Sequence, residues 1–529
     1  MPAPAWPRPR RMSETGGAVR VLPDAEATAR LAREVALFAR AGDLIALSGD
    51  LGAGKTTFAR AFIRALANNE ATEVPSPTFT LVQTYDETRI RVLHCDLYRV
   101  SSPDGTEELG LEDALADSIV LVEWPENAGD TLPRSRLDIS FSQHGHGRHA
   151  QMIATGADDW ASRLHRMEEI RAFLDQAGHG NARRDHLQGD ASTRRYERLS
   201  SPQGGMILMD APARPDPGKP GAPSYSRIAH LAESVHPFAG LAQALRDAGA
   251  HAPAVLASDL DAGLLLLEDL GGGKVVSDGQ PPEPIAERYL ESVRLLAHLH
   301  GRTLPRAVSF GSAVKHEIPA FDMGVLRAEV SLVLDWFVPH ARGTECDEAD
   351  RAAFFAAWNE VITATDILTR SPTWVLRDYH SPNIVWCEPC EPPLGPYDRV
   401  GVIDFQDALW GPAAYDVVSM GQDARVDITQ TLEQNIIATY LEARTSAGRF
   451  DEVAFLRDYA VMGAQRNTKI LGIFARLNRR DGKAQYLAHM PRVSNYLQRC
   501  LAHPALAPIA AWYRERLPEA LEIEPKKTA

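Results

Sequence analysis

The sequence predicts two domains of different class, an α/β domain on a partly parallel sheet followed by an α+β domain of two lobes. Three observations carry that expectation. Short apolar runs alternate with helical patterns from residue 19 to about residue 155, as in a sheet with crossover helices. The pattern lapses there and restarts as an amphipathic helix near Arg163, and from about Val235 onward helices dominate. A chain of 529 residues also exceeds one core, on the usual ~100–200 residues per domain. The expected division is a disordered tail over residues 1–18, a first domain over 19–157 and a second over 163–520. The second divides into a small lobe to about residue 271 and a large lobe from 272.

Composition narrows the function classes. Hydrophobic residues make up 44% and charged residues 24%, enough apolar content for sizeable cores. The net charge of −14 argues against a general nucleic-acid coat. No apolar run approaches the ~20 residues that span a bilayer. The basic N-terminus lacks an apolar stretch after it and so does not read as a secretory signal; Met12 is an alternative start. Five scattered cysteines fit a reducing compartment, and a cytoplasmic location is expected. Cys387-Glu388-Pro389-Cys390 is a lone C-x-x-C in a Pro-rich turn without a second ligand pair, so a turn is the better reading than zinc.

In the first domain, Pro23-Asp24-Ala25-Glu26 opens an amphipathic helix to about residue 41. Leu44-Ile45-Ala46-Leu47 reads as a buried strand, and the run from Phe58 to Leu66 as a helix. Between them, Gly49-Asp50-Leu51-Gly52-Ala53-Gly54-Lys55-Thr56 fits G-x-x-x-x-G-K-[ST] and Thr57 follows. Glycines let backbone N–H groups wrap phosphates, and the helix N-terminus adds positive potential. Lys55 then serves the β- and γ-phosphates, and Thr56 or Thr57 offers a hydroxyl to Mg²⁺. Further strands are expected at Phe79-Thr80-Leu81-Val82, Arg91-Val92-Leu93-His94 and Ile119-Val120-Leu121-Val122. A terminal hairpin turns at the polar, His-rich stretch from Ser142 to His149. Ser76-Pro77-Thr78 reads as a stiff loop presenting hydroxyls. Asp96 closes one strand, where a carboxylate holds Mg²⁺, and Glu123 closes another.

These residues resemble a known family. The P-loop with Ser76-Pro77-Thr78, Asp96-Leu97-Tyr98-Arg99 and Glu123-Trp124-Pro125 is similar to the bacterial tRNA threonylcarbamoyladenosine biosynthesis ATPases, TsaE, over roughly residues 19–155. The resemblance implies an ATP- and Mg²⁺-dependent ATPase that binds TsaB–TsaD-like proteins and meets tRNA only indirectly. It implies catalytic and metal roles for Asp96 and Glu123, and nucleotide contacts from Gly49, Gly52, Ala53, Gly54, Lys55, Thr56 and Thr57. Cys95 departs from the family, which has an aromatic residue there.

In the second domain, Arg377-Asp378-Tyr379-His380-Ser381-Pro382-Asn383 precedes Val402-Ile403-Asp404-Phe405. An Asp, an Asn five residues on and an Asp closing an apolar strand are the parts of a phosphoryl-transfer site. Asp378 would accept the substrate hydroxyl proton, while Asn383 and Asp404 hold Mg²⁺ on ATP. Leu264-Leu265-Leu266-Leu267-Glu268-Asp269-Leu270 reads as the strand beside adenine, with Glu268 and Leu270 as contacts; an ordinary buried strand fits equally. Gly189-Asp190-Ala191-Ser192-Thr193-Arg194-Arg195 is a weak candidate for a phosphate-covering hairpin.

This region, about residues 165–515, resembles the aminoglycoside phosphotransferase superfamily. Within it, Met209-Asp210-Ala211-Pro212, Asp404-Phe405-Gln406-Asp407-Ala408 and Lys469-Ile470-Leu471-Gly472 are similar to the N-acetylmuramate/N-acetylglucosamine kinases. The resemblance implies a protein-kinase-like fold, ATP and Mg²⁺, and an anomeric hydroxyl as acceptor. Two departures stand out: Leu376 replaces a His, and no Lys occupies the third strand at Ile207-Leu208-Met209-Asp210, so Arg194 or Arg195 is expected to supply that charge. Arg466 and Lys469 are candidate sugar contacts, with a solvated helix face as the equal alternative. Two other readings stay open: an N-terminal nucleotide-binding module that regulates the kinase, and an aminoglycoside or choline-like acceptor.

Overall fold

The computed structural model describes residues 17–524 except 101–105, 107–108, 157–158, 188–193, 202–203, 217, 219–222 and 313. Most of the expected tail, Met12 and the run Gly189 to Thr193 lie outside the described residues, as does part of the Pro/Gly-rich loop from Ala211 to Pro223. The chain divides into two compact units, residues 3–211 with 257–267, and residues 212–256 with 268–529.

The first unit opens with β1 (Gly17–Leu22), α1 (Ala25–Phe38), β2 (Leu44–Ser48) and α2 (Lys55–Ala67). Asp24 caps α1 by accepting the Ala27 N–H at 2.7 Å. Then follow β3 (Val82–Tyr85), β4 (Val92–Asp96), β5 (Ile119–Glu123), β6 (Arg136–His144) and β7 (Gly147–Thr155). They form one seven-stranded sheet in the order β1-β7-β6-β2-β5-β4-β3. Strand β2 runs parallel to β5 and β6, and β4 parallel to β5; β1 and β3 are antiparallel edges. Alternate residues of β2 feed the two faces: Ile45 and Leu47 join one core, Leu44 and Ala46 the other. Strands covered on both sides read as continuous apolar runs, which is why they stand out in the sequence.

One strand starts later than expected. β3 begins at Val82, because the Leu81 N–H bonds back to Pro77 O at 2.7 Å and Leu81 takes φ 63°. Phe79 stands in that turn, 81% exposed, under the Arg99 guanidinium.

Helix α3 (Trp160–Gln176) follows, then β8 (Arg183–Leu187), β9 (Arg195–Ser201) and β10 (Gly204–Asp210). With β11 (Val255–Asp259) and β12 (Leu264–Glu268) they make a five-stranded sheet, order β11-β12-β10-β9-β8. The core does not break at α3. Trp160, Leu164, Met167 and Ile170 belong to one buried cluster with Val35 and Phe58 on one side and Leu199, Leu208 and Leu266 on the other.

The second unit is mainly helical. Counting helices of eight residues or more, it holds α4 (His236–Asp247), α5 (Ala286–His300), α6 (Met323–Leu332), α7 (Glu348–Thr365), α8 (Ala414–Gly421), α9 (Gln430–Ser446), α10 (Glu452–Asp481), α11 (Met490–Leu501) and α12 (Ala507–Arg516). The 30-residue α10 is buried over most of its middle. Short antiparallel pairs punctuate the helices: β13 (Ala307–Phe310) with β14 (Val314–Glu317), β15 (Thr373–Val375) with β18 (Leu409–Gly411), and β16 (Ile384–Trp386) with β17 (Val400–Val402). No helix among the described residues is long and apolar enough to cross a membrane.

Candidate active sites

In the first unit the loop between β2 and α2 lies at the carboxyl end of the sheet. Gly49 takes φ +130°, and a Cβ there would come within 2.4 Å of Phe141 O; a Cβ on Gly54 would strike the Arg148 guanidinium. Glycine is therefore required at both positions. The loop opens into a cavity of about 240 Å³ lined by Gly52, Gly54, Lys55, Thr56, Asp96 and Glu123 among others.

The two acids meet because Asp96 and Glu123 are register partners at the ends of β4 and β5. Asp96 accepts Thr78 Oγ1 at 2.7 Å and Ser76 Oγ at 3.0 Å, so the proline-stiffened loop is tied to the acid by its hydroxyls. Glu123 accepts Thr56 Oγ1 at 2.8 Å and contacts His94 Nε2 at 3.1 Å. Lys55 bends over the loop carbonyls Gly49 O and Asp50 O, with Nζ 3.5 Å from the Trp124 ring centroid. Burial pulls its pKa below the ordinary value, against the opposing pull of Glu123, Glu126 and Asp96. Thr57 lines the same cavity, and Ala53 follows Gly52 in the loop. His94 and Trp124 were not singled out as site residues in the sequence; an apolar-strand His two residues before the acid is the signal that marks His94.

In the second unit the hairpin β16–β17 does the positioning. Ile384 pairs with Val402 and the Ile403 N–H donates to Asn383 O at 3.1 Å, so Asn383 and Asp404, the residue after Ile403, share the open end of the hairpin. Asn383 Nδ2 donates to Asp378 O at 2.9 Å and reaches Asp404 Oδ2 at 3.4 Å. Gln406 Nε2 donates to the other oxygen of Asp404 at 2.7 Å. Asp378 follows Arg377, which sits at φ 73° and is itself fixed: Asp416 accepts the Leu376 N–H at 2.6 Å and the Arg377 N–H at 2.9 Å. Burial pushes the Asp416 carboxyl up to about 7. Leu376, standing where a His was expected, contributes its backbone to this anchor. His380 is part-buried, and desolvation drives its imidazole down to about 4, so it is neutral at pH 7.

Arg377 gives its side chain to a buried carboxylate. Its Nη2 and Nε lie 2.6 and 3.1 Å from Glu329 Oε1, and Nη1 donates to Ala229 O at 2.8 Å. Lys469 Nζ reaches the same Oε1 at 2.7 Å, and Gln465 Nε2 donates to Oε2 at 2.7 Å. Burial opposes the charge, but Lys469 and Arg377 hold Glu329 down to about 2. Lys469 is thus an internal ion-pair partner rather than a residue on a solvated helix face. Arg466 is buried rather than on a solvated face.

Other expectations fare differently. Arg195 Nη2 bonds Glu197 Oε1 at 3.2 Å and its guanidinium lies 3.8 Å from the Phe38 ring, so its charge is spent within the first unit. Arg194 stands at the entry to β9. At the end of β10, where a Lys was expected nearby, Asp210 receives Arg166 Nη2 at 2.6 Å. The Glu268 carboxylate accepts Arg246 Nη1 at 2.9 Å and the Ala254 N–H at 3.0 Å, so its side chain is engaged internally. Leu270 abuts the β16–β17 hairpin: a Cβ on Gly401 would lie 3.0 Å from it. Cys390 Sγ is 3.5 Å from the His251 ring nitrogens, and no three His, Cys, Asp or Glu residues converge as a metal site among the described residues.

The comparisons agree with this geometry. The family model for threonylcarbamoyl adenosine biosynthesis protein TsaE matches residues 22–151, and that of the phosphotransferase enzyme family matches residues 186–456. The chain belongs to both families. It is 35% identical over 360 residues to an N-acetylmuramate/N-acetylglucosamine kinase of Caulobacter vibrioides, a match spanning 66% of this chain and 95% of that protein. It is 43% identical over 139 residues to the tRNA threonylcarbamoyladenosine biosynthesis protein TsaE of Rickettsia felis, covering 26% of this chain and 81% of that one.

The protein is therefore a fusion of a TsaE-type ATPase domain and a phosphotransferase, both using ATP with Mg²⁺. The residues fit that group. Thr56, Asp96 and Glu123 offer three oxygen ligands beside the P-loop. The Asn383 amide nitrogen is engaged internally, so its oxygen and Asp404 are the groups left for a hard cation.

Proposed function

We propose that this chain is bifunctional: residues 19–157 hydrolyse ATP in support of tRNA threonylcarbamoylation, and residues 163–520 phosphorylate the anomeric hydroxyl of N-acetylmuramate and N-acetylglucosamine. The observation that carries the kinase half is the junction of Asp378, Asn383 and Asp404 at one hairpin end. Asp378 accepts the sugar hydroxyl proton as the oxygen attacks. Asn383 and Asp404 would hold Mg²⁺, which when bound would neutralise charge on the transferring phosphoryl group. Asp416 keeps the loop from shifting by holding two of its N–H groups. In the ATPase half, Lys55 and the loop amides bind phosphates, Thr56 and Asp96 would hold Mg²⁺, and Glu123, steadied by His94, orients water. TsaB–TsaD-like proteins are its partners, tRNA is met only through them, and the setting is the cytoplasm.

A second reading has one observation in its favour. The buried cluster that runs from the P-loop domain through α3 into the β8–β12 sheet suits a nucleotide-binding module that governs the kinase. Assaying phosphoryl transfer in the Lys55→Ala variant separates the two. Unchanged sugar phosphorylation supports independent activities; a large fall supports control.

A further inference from the structure

The middle of α10 is a run of buried polar residues, and nearly every one has an internal acceptor. Gln465 and Lys469 go to Glu329, Asn467 Nδ2 donates to Gln422 Oε1 at 2.7 Å, and Thr468 Oγ1 meets Tyr513 OH at 2.7 Å. Arg466 is the exception. It is 5% exposed, yet its Nη1 has no hydrogen-bond partner and its guanidinium makes no ion pair among the described residues. A guanidinium stays charged at any pH a protein survives, and a buried charge without a partner is strongly disfavoured. The missing acceptor is thus expected from outside the chain.

Its surroundings say what kind. The groups that feel Arg466 electrostatically are His380, Tyr415 and Asp416, all on or behind the loop that carries Asp378. His380 is neutral and its Nδ1 is likewise buried without a partner among the described residues. Asp416 has its two oxygens committed to the Leu376 and Arg377 N–H groups. A guanidinium with a buried, unpartnered Nη1, close enough to feel His380 and Asp416, matches an oxyanion, best a carboxylate taken in a bidentate pair.

We propose that Arg466 binds a carboxylate on the acceptor sugar and sets preference for acidic over neutral amino sugars. This rests on the amino-sugar kinase reading above. The lactyl carboxylate of N-acetylmuramate is the group of that chemistry; N-acetylglucosamine lacks it. A phosphate oxygen of ATP is the other oxyanion available to the same fork.

The test is kcat/KM for both sugars, and KM for ATP, in the full-length protein and its Arg466→Gln and Arg466→Lys variants. Loss of one charge-assisted pair should lower N-acetylmuramate turnover ~10–100-fold more than N-acetylglucosamine turnover in Arg466→Gln. Arg466→Lys should recover part of that selectivity, because it keeps the charge without the fork. Equal losses on the two sugars would overturn the inference, as would a rise in KM for ATP with selectivity unchanged. Turnover of the neutral sugar in each variant reports that the chain is folded; if both variants lose it entirely, the role is structural and the inference fails. If the wild type phosphorylates neither sugar, the underlying reading fails first and the inference with it.

Discussion

Arg163 grips Asp43 with two parallel hydrogen bonds, Nη1 to Oδ2 at 2.7 Å and Nη2 to Oδ1 at 2.8 Å, and both side chains are almost fully buried. Arg163 Nη1 also donates to Phe38 O at 3.0 Å. The first helix after the P-loop domain is thereby bolted to that domain, while Arg166, one residue cluster along, reaches Asp210 of β10. Within the first unit the P-loop domain and the β8–β12 sheet thus share one core.

Arg163→Ala should therefore lower stability by about 3–5 kcal/mol, since it leaves Asp43 buried and uncompensated. The Asp43→Ala, Arg163→Ala double variant should recover part of that loss. Thermal unfolding of the four proteins of this cycle checks it, and simple additivity would show that the pair is not coupled.

Lys55→Ala should abolish ATP hydrolysis by the first domain and leave sugar phosphorylation within about three-fold of the wild type, because the two phosphate sites have separate residues. Parallel assays of phosphate release without sugar and of sugar phosphate formation decide it.

Asp378→Asn should lower kinase turnover ~10²–10⁴-fold with ATP affinity nearly intact, because a base acts only as the proton moves. Asp404→Ala should also weaken Mg²⁺–ATP binding. Nucleotide titration beside steady-state kinetics separates the two effects.

Glu329 gives the kinase unit an acid limit. Its folded pKa, about 2, lies below the ordinary 4.5. The charged form thus contributes stability that is complete above about pH 4.5 and lost as pH falls toward 2. Glu329→Gln should be destabilised by about 3–5 kcal/mol at pH 7, with Arg377 and Lys469 left unpaired, and should lose that part of the acid dependence. Urea midpoints between pH 2.5 and 7 measure both.

What the sequence revealed follows from how local each signal is. The P-loop and the Asp378, Asn383 and Asp404 set are short motifs on a strand–turn–helix and a hairpin, so their geometry is nearly contained in their spacing. The parallel strands were readable because burial on both faces makes them uniformly apolar. The Lys469–Glu329 pair spans 140 residues, and no periodicity reports such a contact. The contacts of Arg195 with Glu197 and the Phe38 ring are likewise absent from any local pattern. The Asp43–Arg163 bolt spans 120 residues and was equally invisible.

The central claim is that this chain joins an ATPase to an anomeric amino-sugar kinase. The most direct measurement follows the γ-phosphate of labelled ATP into product, using wild type and Asp378→Asn with free and methyl-glycoside forms of N-acetylmuramate and N-acetylglucosamine. The account predicts label on the free sugars alone, in an amount that collapses in Asp378→Asn while sugar-independent phosphate release persists. Label on a methyl glycoside, or transfer only to a cationic aminoglycoside, would contradict it.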